Sequence, residues 1–434
     1  MTNIKDHKIA GRIKVSEPVL GLKLYTLKTG VKDVVSLKGI MLGGTKYKTG
    51  DKWSVPSLVV SLLGTGNKKM GKENRNAILE SNGISLSYDN NIEHVCFYIS
   101  ALKDKMARGI DFLATDMREP VFKDEEFKLE KEKRLGRIEE GREDTHDQSF
   151  DNFTRKIFPK NHVAYIDKED ERIRSLKSRR IDEIKDFYHY NYGLGNMVVV
   201  AVGDVSHSHL DEQLRKGFSG WQRSPLTHIE YNTDEIVDSK ELDYITIRDK
   251  KSVDMVMGGK FTIDVKSREY EALSVGVGIL GGGFSSRLIN EIREKRGLTY
   301  SIGAGTGGIR YGDDGFWYTS GTFAPSLLQN GMNLTKNIIS EWAEKGVTRE
   351  ELEIEKKAEI GRYKVGLSTS NKIANRILGF IECGLPLPYI DEYPSAIASL
   401  TRREVNDAIK KYIDPKKMKI VAAGSIDKSG KPTI

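Results

Sequence analysis

The stretch from Gly281 to Ser301 reads GGGFSSRLINEIREKRGLTYS, and it decides the fold of this chain. Its glycine run predicts a tight break after one helix. The residues that follow predict a second helix that Gly297 closes, and then an alternating strand. Arg296 and Tyr300 therefore bring a guanidinium and a phenol to one helix-to-strand corner, four residues apart.

The same corner occurs a second time, because the chain contains an internal repeat. Three segments recur in the same order just over two hundred residues later: 78–87 with 292–301, 125–131 with 350–356, and 196–204 with 417–425. The first pair is predicted to be a glycine-capped helix and a strand, the second the start of a long polar-faced helix, and the third an apolar strand that ends in a glycine turn. This repeat indicates two similar domains that arose by duplication.

Within each half, strands and long helices come in blocks rather than in strict alternation. That order predicts an α+β fold of two homologous domains, each a mostly antiparallel sheet with helices packed on one face. Residues 1–225 are predicted to form the N-terminal domain and 240–434 the C-terminal domain. The polar segment from about Gly220 to Lys240 is the expected linker, and a cleft between the two domains is the expected place for a binding site.

The composition is that of a soluble globular protein. Apolar residues make up 38% of the 434 residues and charged residues 30%, which is enough apolar chain to bury substantial cores. The net charge of +7 comes from acidic and basic residues that are interleaved, as in 128–134. We therefore expect solvated helix faces and no nucleic-acid partner. No apolar run approaches about 18 residues, which predicts no membrane span.

The amino terminus and the cysteines bear on the compartment. Residues 1–8 contain no apolar core of a signal peptide, so a cytoplasmic location is expected. Removal of a leader would leave the same sequence, and the location would then be periplasmic. Cys96 and Cys383 lie far apart in apolar surroundings, which predicts buried free thiols rather than a disulfide.

Other catalytic chemistries lack their motifs. The glycine run has neither the Lys-Ser/Thr ending of a phosphate loop nor a βαβ context. No G-x-S-x-G elbow supports a serine nucleophile, and neither cysteine has a catalytic signature around it. His207 and His209 have ligand-like spacing, but they follow a glycine turn after a strand, where solvated loop histidines are expected.

From about Val34 to Gly424 the chain resembles the pitrilysin/insulinase family of zinc endopeptidases. The resemblance rests on 281–301, with further matches at 113–116, 120–122 and 187–192. Members of this family bind zinc through His-x-x-Glu-His on the first helix of the first domain. At those three motif positions this chain has Ser57, Val60 and Ser61.

The degenerate motif implies that this chain holds no metal. Serine hydroxyls are poor zinc ligands, and valine cannot accept a proton. The third family ligand, a glutamate, falls near Ile138 or Glu139, and Glu139 alone would not hold zinc because a catalytic site needs about three protein ligands. The resemblance therefore implies no cofactor here and zinc only in a partner subunit, while a residual role of Glu139 stays open.

Arg296 and Tyr300 match the Arg/Tyr pair of the same family. On spacing alone they are ordinary, since the helix dipole favours arginine at a helix C-terminus and tyrosine is common in strands. In the family the pair binds the substrate backbone and supports the oxyanion, a role that suits a cationic fork and a phenol donor. The resemblance thus implies that both residues bind substrate and that this chain alone has no catalytic residue.

As a whole, the resemblance implies a non-catalytic or partner-dependent subunit of a zinc metalloendopeptidase. We expect a heterodimer with a homologous subunit that carries His-x-x-Glu-His, or a homodimer, and a peptide substrate. A processing-peptidase subunit with a long glycine loop fits less well, because the triple glycine leads straight into Ser285, Ser286 and Arg287. The alternative is a scaffold or binding protein with a peptidase fold and no proteolytic role. A homodimeric hydrolase with another site has no motif in its support.

Overall fold

The computed structural model of the protein describes residues 8–231, 235, 237–312 and 314–433. The strands are β1 Lys14–Val19, β2 Leu22–Lys28, β3 Val34–Leu42, β4 Gly66–Asn67, β5 Met70–Gly71, β6 Ser85–Asn90, β7 His94–Leu102, β8 Met197–Gly203, β9 Leu242–Thr246, β10 Val253–Phe261, β11 Ser301–Gly307, β12 Gly315–Phe323 and β13 Lys419–Gly424. The helices are α1 Val55–Leu62, α2 Lys72–Ser81, α3 Met106–Arg118, α4 Asp124–Gly141, α5 Thr145–Ile157, α6 Glu169–Ser178, α7 Ile181–Asn191, α8 His207–Phe218, α9 Arg268–Gly281, α10 Leu328–Lys345, α11 Arg349–Val365, α12 Ser370–Glu382, α13 Tyr389–Ala398 and α14 Arg402–Tyr412. None of the helices in these described ranges has both the length and the apolar character that crossing a membrane requires.

Two large sheets share one strand order. The first runs β1-β2-β8-β3-β7-β6, and the second, taken in the corresponding direction, runs β9-β13-β10-β12-β11. Each sheet has one parallel pair, β2 with β8 and β9 with β13, and its other neighbours are antiparallel. The first sheet differs by its extra edge strand β1. This common order confirms the predicted α+β fold with two mostly antiparallel sheets.

The repeated helix-to-strand corner has the same glycine conformation in both halves. Gly83 follows α2 with φ +62°, and Gly297 follows the helical segment before β11 with φ +61°. Both values lie in the left-handed region, where a Cβ is strained and glycine is not. The glycine therefore ends the helix and turns the chain into β6 in one half and β11 in the other.

The chain divides into two compact units, and each draws on both halves of the sequence. One unit holds the chain up to Gly136, 170–229 and 364–393; the other holds 137–169, 230–363 and the chain from Pro394 onward. The passage at 229/230 falls inside the expected linker. The segments 137–169 and 364–393 are exchanged, which differs from the expected contiguous domains 1–225 and 240–434.

Helix α5 shows the physical reason for the exchange. It packs against β10 and β13 of the second sheet, where Phe153 and Ile157 join a buried cluster with Val256, Phe316 and Val421. Reciprocally, α12 from the second half packs against β3 and β8 of the first sheet. Burial of these apolar faces stabilises the exchanged arrangement.

Helix α9 covers the other face of the second sheet. A Cβ on Gly281 would lie 2.3 Å from the backbone nitrogen of Ala304, so the first residue of the glycine run permits close approach of α9 to β11. Ala304 and Met257 both pair with Thr319 and share its face, opposite to the face of the neighbouring Val256. The expected helical layer on one face is present, and the exchanged α5 adds a second layer.

The two cysteines are free and half-buried, rather than fully buried. Burial, together with the nearby carboxylates of Glu382 and Asp89, raises the pKa of the Cys96 thiol to about 12. Because the thiolate is the reactive form, Cys96 is poorly suited to act as a nucleophile at neutral pH.

Candidate functional site

Helix α1 carries the three positions at which the sequence lacks zinc ligands. The helix begins with Pro56 in its first turn, which suits proline because the first amides of a helix have no partner within it. Val60 is buried, and Ser57 and Ser61 lie four residues apart on one helix face. Ser57 Oγ donates to the Ser54 carbonyl oxygen at 3.1 Å, and Ser61 Oγ donates to the Ser57 carbonyl oxygen at 3.1 Å.

A guanidinium from α4 bridges these two serines. Arg134 Nη1 donates to Ser57 Oγ at 2.9 Å, and Arg134 Nη2 donates to Ser61 Oγ at 2.7 Å. Nη2 also donates to the Ser57 carbonyl oxygen at 2.9 Å. Each hydroxyl therefore accepts a hydrogen bond from the arginine and donates one to the backbone. A positively charged side chain thus lies beside the positions that hold the zinc ligands in the family.

The residues around α1 do not fit a zinc ion. Zinc in proteins is bound by thiolate, imidazole or carboxylate groups, whereas this site offers two hydroxyls, a valine and a positive charge. Within residues 8–231, 235, 237–312 and 314–433, no group of three or more His, Cys, Asp or Glu side chains is arranged to hold a metal ion.

Glu139 is engaged elsewhere. Its carboxylate accepts from Arg142 Nε at 2.7 Å, and its side chain is more than half exposed, whereas Ile138 is buried. Reasoning from the sequence missed Arg134, which lies one helical turn before Ile138. The i, i+4 spacing of 134 and 138 was the signal that could have found it, because residues four apart share a helix face.

We expect the purified chain to hold well below one zinc ion after extensive dialysis, because the Arg134 cation and the two serine hydroxyls offer no ligands. Elemental analysis of the dialysed protein is the measurement, and a zinc-binding protein carried through the same dialysis is the control. One tightly bound zinc per chain would contradict the expectation.

The Arg296–Tyr300 corner is built on a short π-helical turn. The turn spans Ile289–Glu294, and the Lys295 amide donates to the Asn290 carbonyl oxygen at 3.0 Å, five residues back. Such turns are rare in proteins as a whole, and those that occur are often found at functional sites. Arg296 lies between this wider turn and the left-handed Gly297.

Arg296 is paired within the chain. Its Nη1 donates to the Glu291 carboxylate at 2.6 Å and to the Glu291 carbonyl oxygen at 2.9 Å. Hydrogen bonds from Lys295 and Arg296 lower the pKa of Glu291. The Arg296 side chain is nevertheless 46% exposed, and only Nη1 of its guanidinium donates to the described part of the chain.

Tyr300 is the most exposed large apolar side chain of the described residues, at 82%. The Arg293 guanidinium carbon lies 4.3 Å from the centroid of the Tyr300 ring and 5.7 Å from that of Phe284, which is also exposed. This stacking orients the phenol ring. Its hydroxyl makes no hydrogen bond to any other described residue, so it is a donor that a ligand could use.

Comparison with known proteins matches two regions of the chain, which include Arg296, Tyr300 and all of the α1 site except Ser57. A family model described as insulinase (peptidase family M16) matches residues 60–166, which include Ser61 and Arg134. A second model, described as peptidase M16 inactive domain, matches residues 180–359, which include Arg296 and Tyr300.

Individual relatives are distant in sequence, and a solved structure with 21% identity is close in fold. A Helicobacter pylori protein described as non-peptidase homolog YmxG is 24% identical over 377 residues, which cover 86% of this chain and 84% of that protein. A Bacillus subtilis protein described as uncharacterized zinc protease YmxG is 21% identical over 368 residues, covering 82% of this chain and 87% of that one. The crystal structure of a peptidase M16 inactive domain from Pseudomonas fluorescens has a TM-score of 0.85 at 21% identity and covers 97% of this chain and 98% of that chain.

Proposed function

The chain belongs to the M16, or insulinase, family of peptidases, and we propose that it is the metal-free subunit of a two-chain peptidase. In this proposal a homologous partner with His-x-x-Glu-His carries the metal, and this chain supplies Arg296 and Tyr300 to a peptide substrate. The observation that carries the proposal is the exposed Tyr300 hydroxyl, which has no hydrogen-bond partner among the described residues.

The state of helix α1 supports a non-catalytic role for this chain alone. Arg134 holds Ser57 and Ser61 by hydrogen bonds of 2.9 and 2.7 Å. The buried Val60 stands at the position of the family's general base, and neither the arginine nor either serine can act as that base. The description of the Helicobacter pylori relative as a non-peptidase homolog agrees with this role.

The chemistry proposed for the Arg/Tyr corner is donation of hydrogen bonds to the substrate. A phenol donor aimed at the scissile carbonyl oxygen stabilises the negative charge that develops there. Arg296 adds a charged donor for a backbone carbonyl oxygen, and Glu291 limits the directions that its guanidinium can take. When bound in the partner, the metal supplies an activated water molecule.

The second candidate is a scaffold or binding protein of the same fold with no proteolytic role. The contact that favours it is the ion pair of Arg296 with Glu291, because a guanidinium already paired at 2.6 Å must share or exchange that partner to bind a substrate. In that case this chain can still bind a homologous subunit, but substitution of Arg296 or Tyr300 does not change peptide cleavage by that subunit.

Co-purification followed by peptide cleavage tests the proposal. The chain is mixed with a homologous chain from the same source that carries His-x-x-Glu-His, and cleavage of a peptide library is measured for the complex and for each chain alone. We expect cleavage by the complex and none by this chain alone. A partner that cleaves equally well without this chain would contradict the proposal.

Arg296→Ala should lower kcat/KM of the complex about tenfold or more, mainly through KM, because hydrogen bonds to charged groups contribute roughly 1.5–3 kcal/mol. The matched control is Arg403→Ala, which removes another exposed arginine that pairs with a nearby carboxylate on its own helix, at 3.5 Å from Asp407. If both variants cleave peptides as the unmodified complex does, Arg296 has no part in substrate binding.

A further inference from the structure

The Arg134 bridge across α1 uses both the donor and the acceptor capacity of each serine hydroxyl. Both serine hydroxyls donate a hydrogen bond to a carbonyl oxygen of the α1 segment and accept a hydrogen bond from the guanidinium. A third bond runs from Nη2 to the Ser57 carbonyl oxygen. The two serine hydroxyls are therefore satisfied without any metal, which is the condition that partly buried polar groups require.

The bridge also opposes a divalent cation electrostatically. A guanidinium keeps its charge at every physiological pH. Its nitrogens lie within 3 Å of the two hydroxyl oxygens that stand at the ligand positions. A metal bound by side chains at 57 and 61 would meet this positive charge at a few ångströms, where Coulomb repulsion in a partly buried site is large.

We propose that Arg134 has taken the place of the metal cation in this chain, and that the residue at 134 decides whether the site can accept a divalent ion. Restoring histidines at 57 and 61 and glutamate at 60 is then insufficient while the arginine remains. This inference is independent of the proposed partner, because it concerns metal binding by this chain alone.

A ligand at position 134 would approach the site from the same helix as the family's third ligand, one turn before Ile138. The arginine side chain extends from α4 to both serines. A glutamate at 134 is shorter than the arginine, but histidines at 57 and 61 are longer than the serines and offset this difference. Arg134→Glu combined with these histidines therefore brings a carboxylate toward the two imidazoles. Glu139 is not needed, since it pairs with Arg142.

The test compares three variants in the full chain. The first carries Ser57→His, Val60→Glu and Ser61→His; the second adds Arg134→Glu; the third adds Arg134→Lys instead, which keeps the positive charge. Zinc per chain is measured after dialysis, and cobalt binding is followed by visible absorption. Circular dichroism reports on folding, and thermal unfolding is recorded with and without zinc.

We expect about one zinc per chain, and a zinc-dependent rise in Tm, for the variant with Arg134→Glu, which completes the three ligands of a zinc site. The variants with arginine or lysine at 134 should bind well below one. One zinc in either of these two overturns the proposal, and so does a folded Arg134→Glu variant that binds none.

A double-mutant cycle keeps the proposal testable if the multiple variants do not fold. Arg134→Met and Ser61→Ala are made singly and together, and their effects on the unfolding equilibrium constant are compared. Because the hydrogen bond involves a charged donor, a coupling of about tenfold is expected. Additive effects would show that Arg134 and Ser61 do not interact, and they would overturn the proposal.

Discussion

Tyr300→Phe is expected to reduce peptide cleavage by the reconstituted complex about a hundredfold or more. Removal of one donor to a developing oxyanion commonly costs roughly 2.7–4 kcal/mol of transition-state stabilisation. The substitution deletes one hydroxyl and retains the ring that lies 4.3 Å from the Arg293 guanidinium carbon. Folding and assembly should be unchanged, because that hydroxyl bonds to no other residue in the described part of the chain. The measurement is kcat/KM on several peptides, with complex formation checked by size-exclusion chromatography.

The matched control for this substitution is Tyr190→Phe, which removes the hydroxyl of another tyrosine that is 68% exposed. It lies on α7, away from the sequence that carries the Arg/Tyr resemblance. We expect this variant to cleave at the unmodified rate. Full activity of Tyr300→Phe would rule out the oxyanion role and leave the scaffold function as the better explanation.

Phe153→Ala is expected to lower the free energy of unfolding by about 3–5 kcal/mol, the usual cost of deleting a fully buried phenylalanine ring. The Phe153 ring is 0% exposed and lies 6.0 Å, between centroids, from the Phe316 ring in an edge-to-face arrangement. Chemical unfolding can be followed by the fluorescence of Trp317 and Trp342, which are buried in the same unit.

The control for this core substitution is Ile354→Ala on α11 in the same unit, where the side chain is 45% exposed. Exposed positions of this kind usually change stability by no more than about 0.5 kcal/mol. A loss below about 1 kcal/mol for Phe153→Ala would show that α5 contributes little to the second sheet, since cavity formation in a packed core costs more than that.

Local signals in the sequence were enough to predict the two sheets. Gly83 and Gly297 both adopt the left-handed φ that a glycine C-cap predicts, and the strands that follow them occupy corresponding edges of the two sheets. These features depend on the periodicity of apolar residues and on backbone sterics, which neighbouring residues determine.

The exchange of α5 and α12 was not predictable from the same signals. An apolar helix face such as that of Phe153 and Ile157 shows that the helix is buried, but it does not show against which sheet. Two similar sheets offer two similar apolar surfaces, and the choice between them depends on how the side chains fit. The duplicated sequence therefore left open which half would supply each helix layer.

For the site, the sequence by itself determined what chemistry is missing and what remains. Ser57 and Ser61 are poor zinc ligands and Val60 is none, and Arg296 and Tyr300 offer a cation and a phenol wherever they lie. Only the tertiary structure decided that Arg134 bridges the two serines, because Arg134 and Ser57 are 77 residues apart. Hydrogen bonds between distant segments depend on distances of about 3 Å and on direction, and these are set by packing of whole elements rather than by the residues at either end.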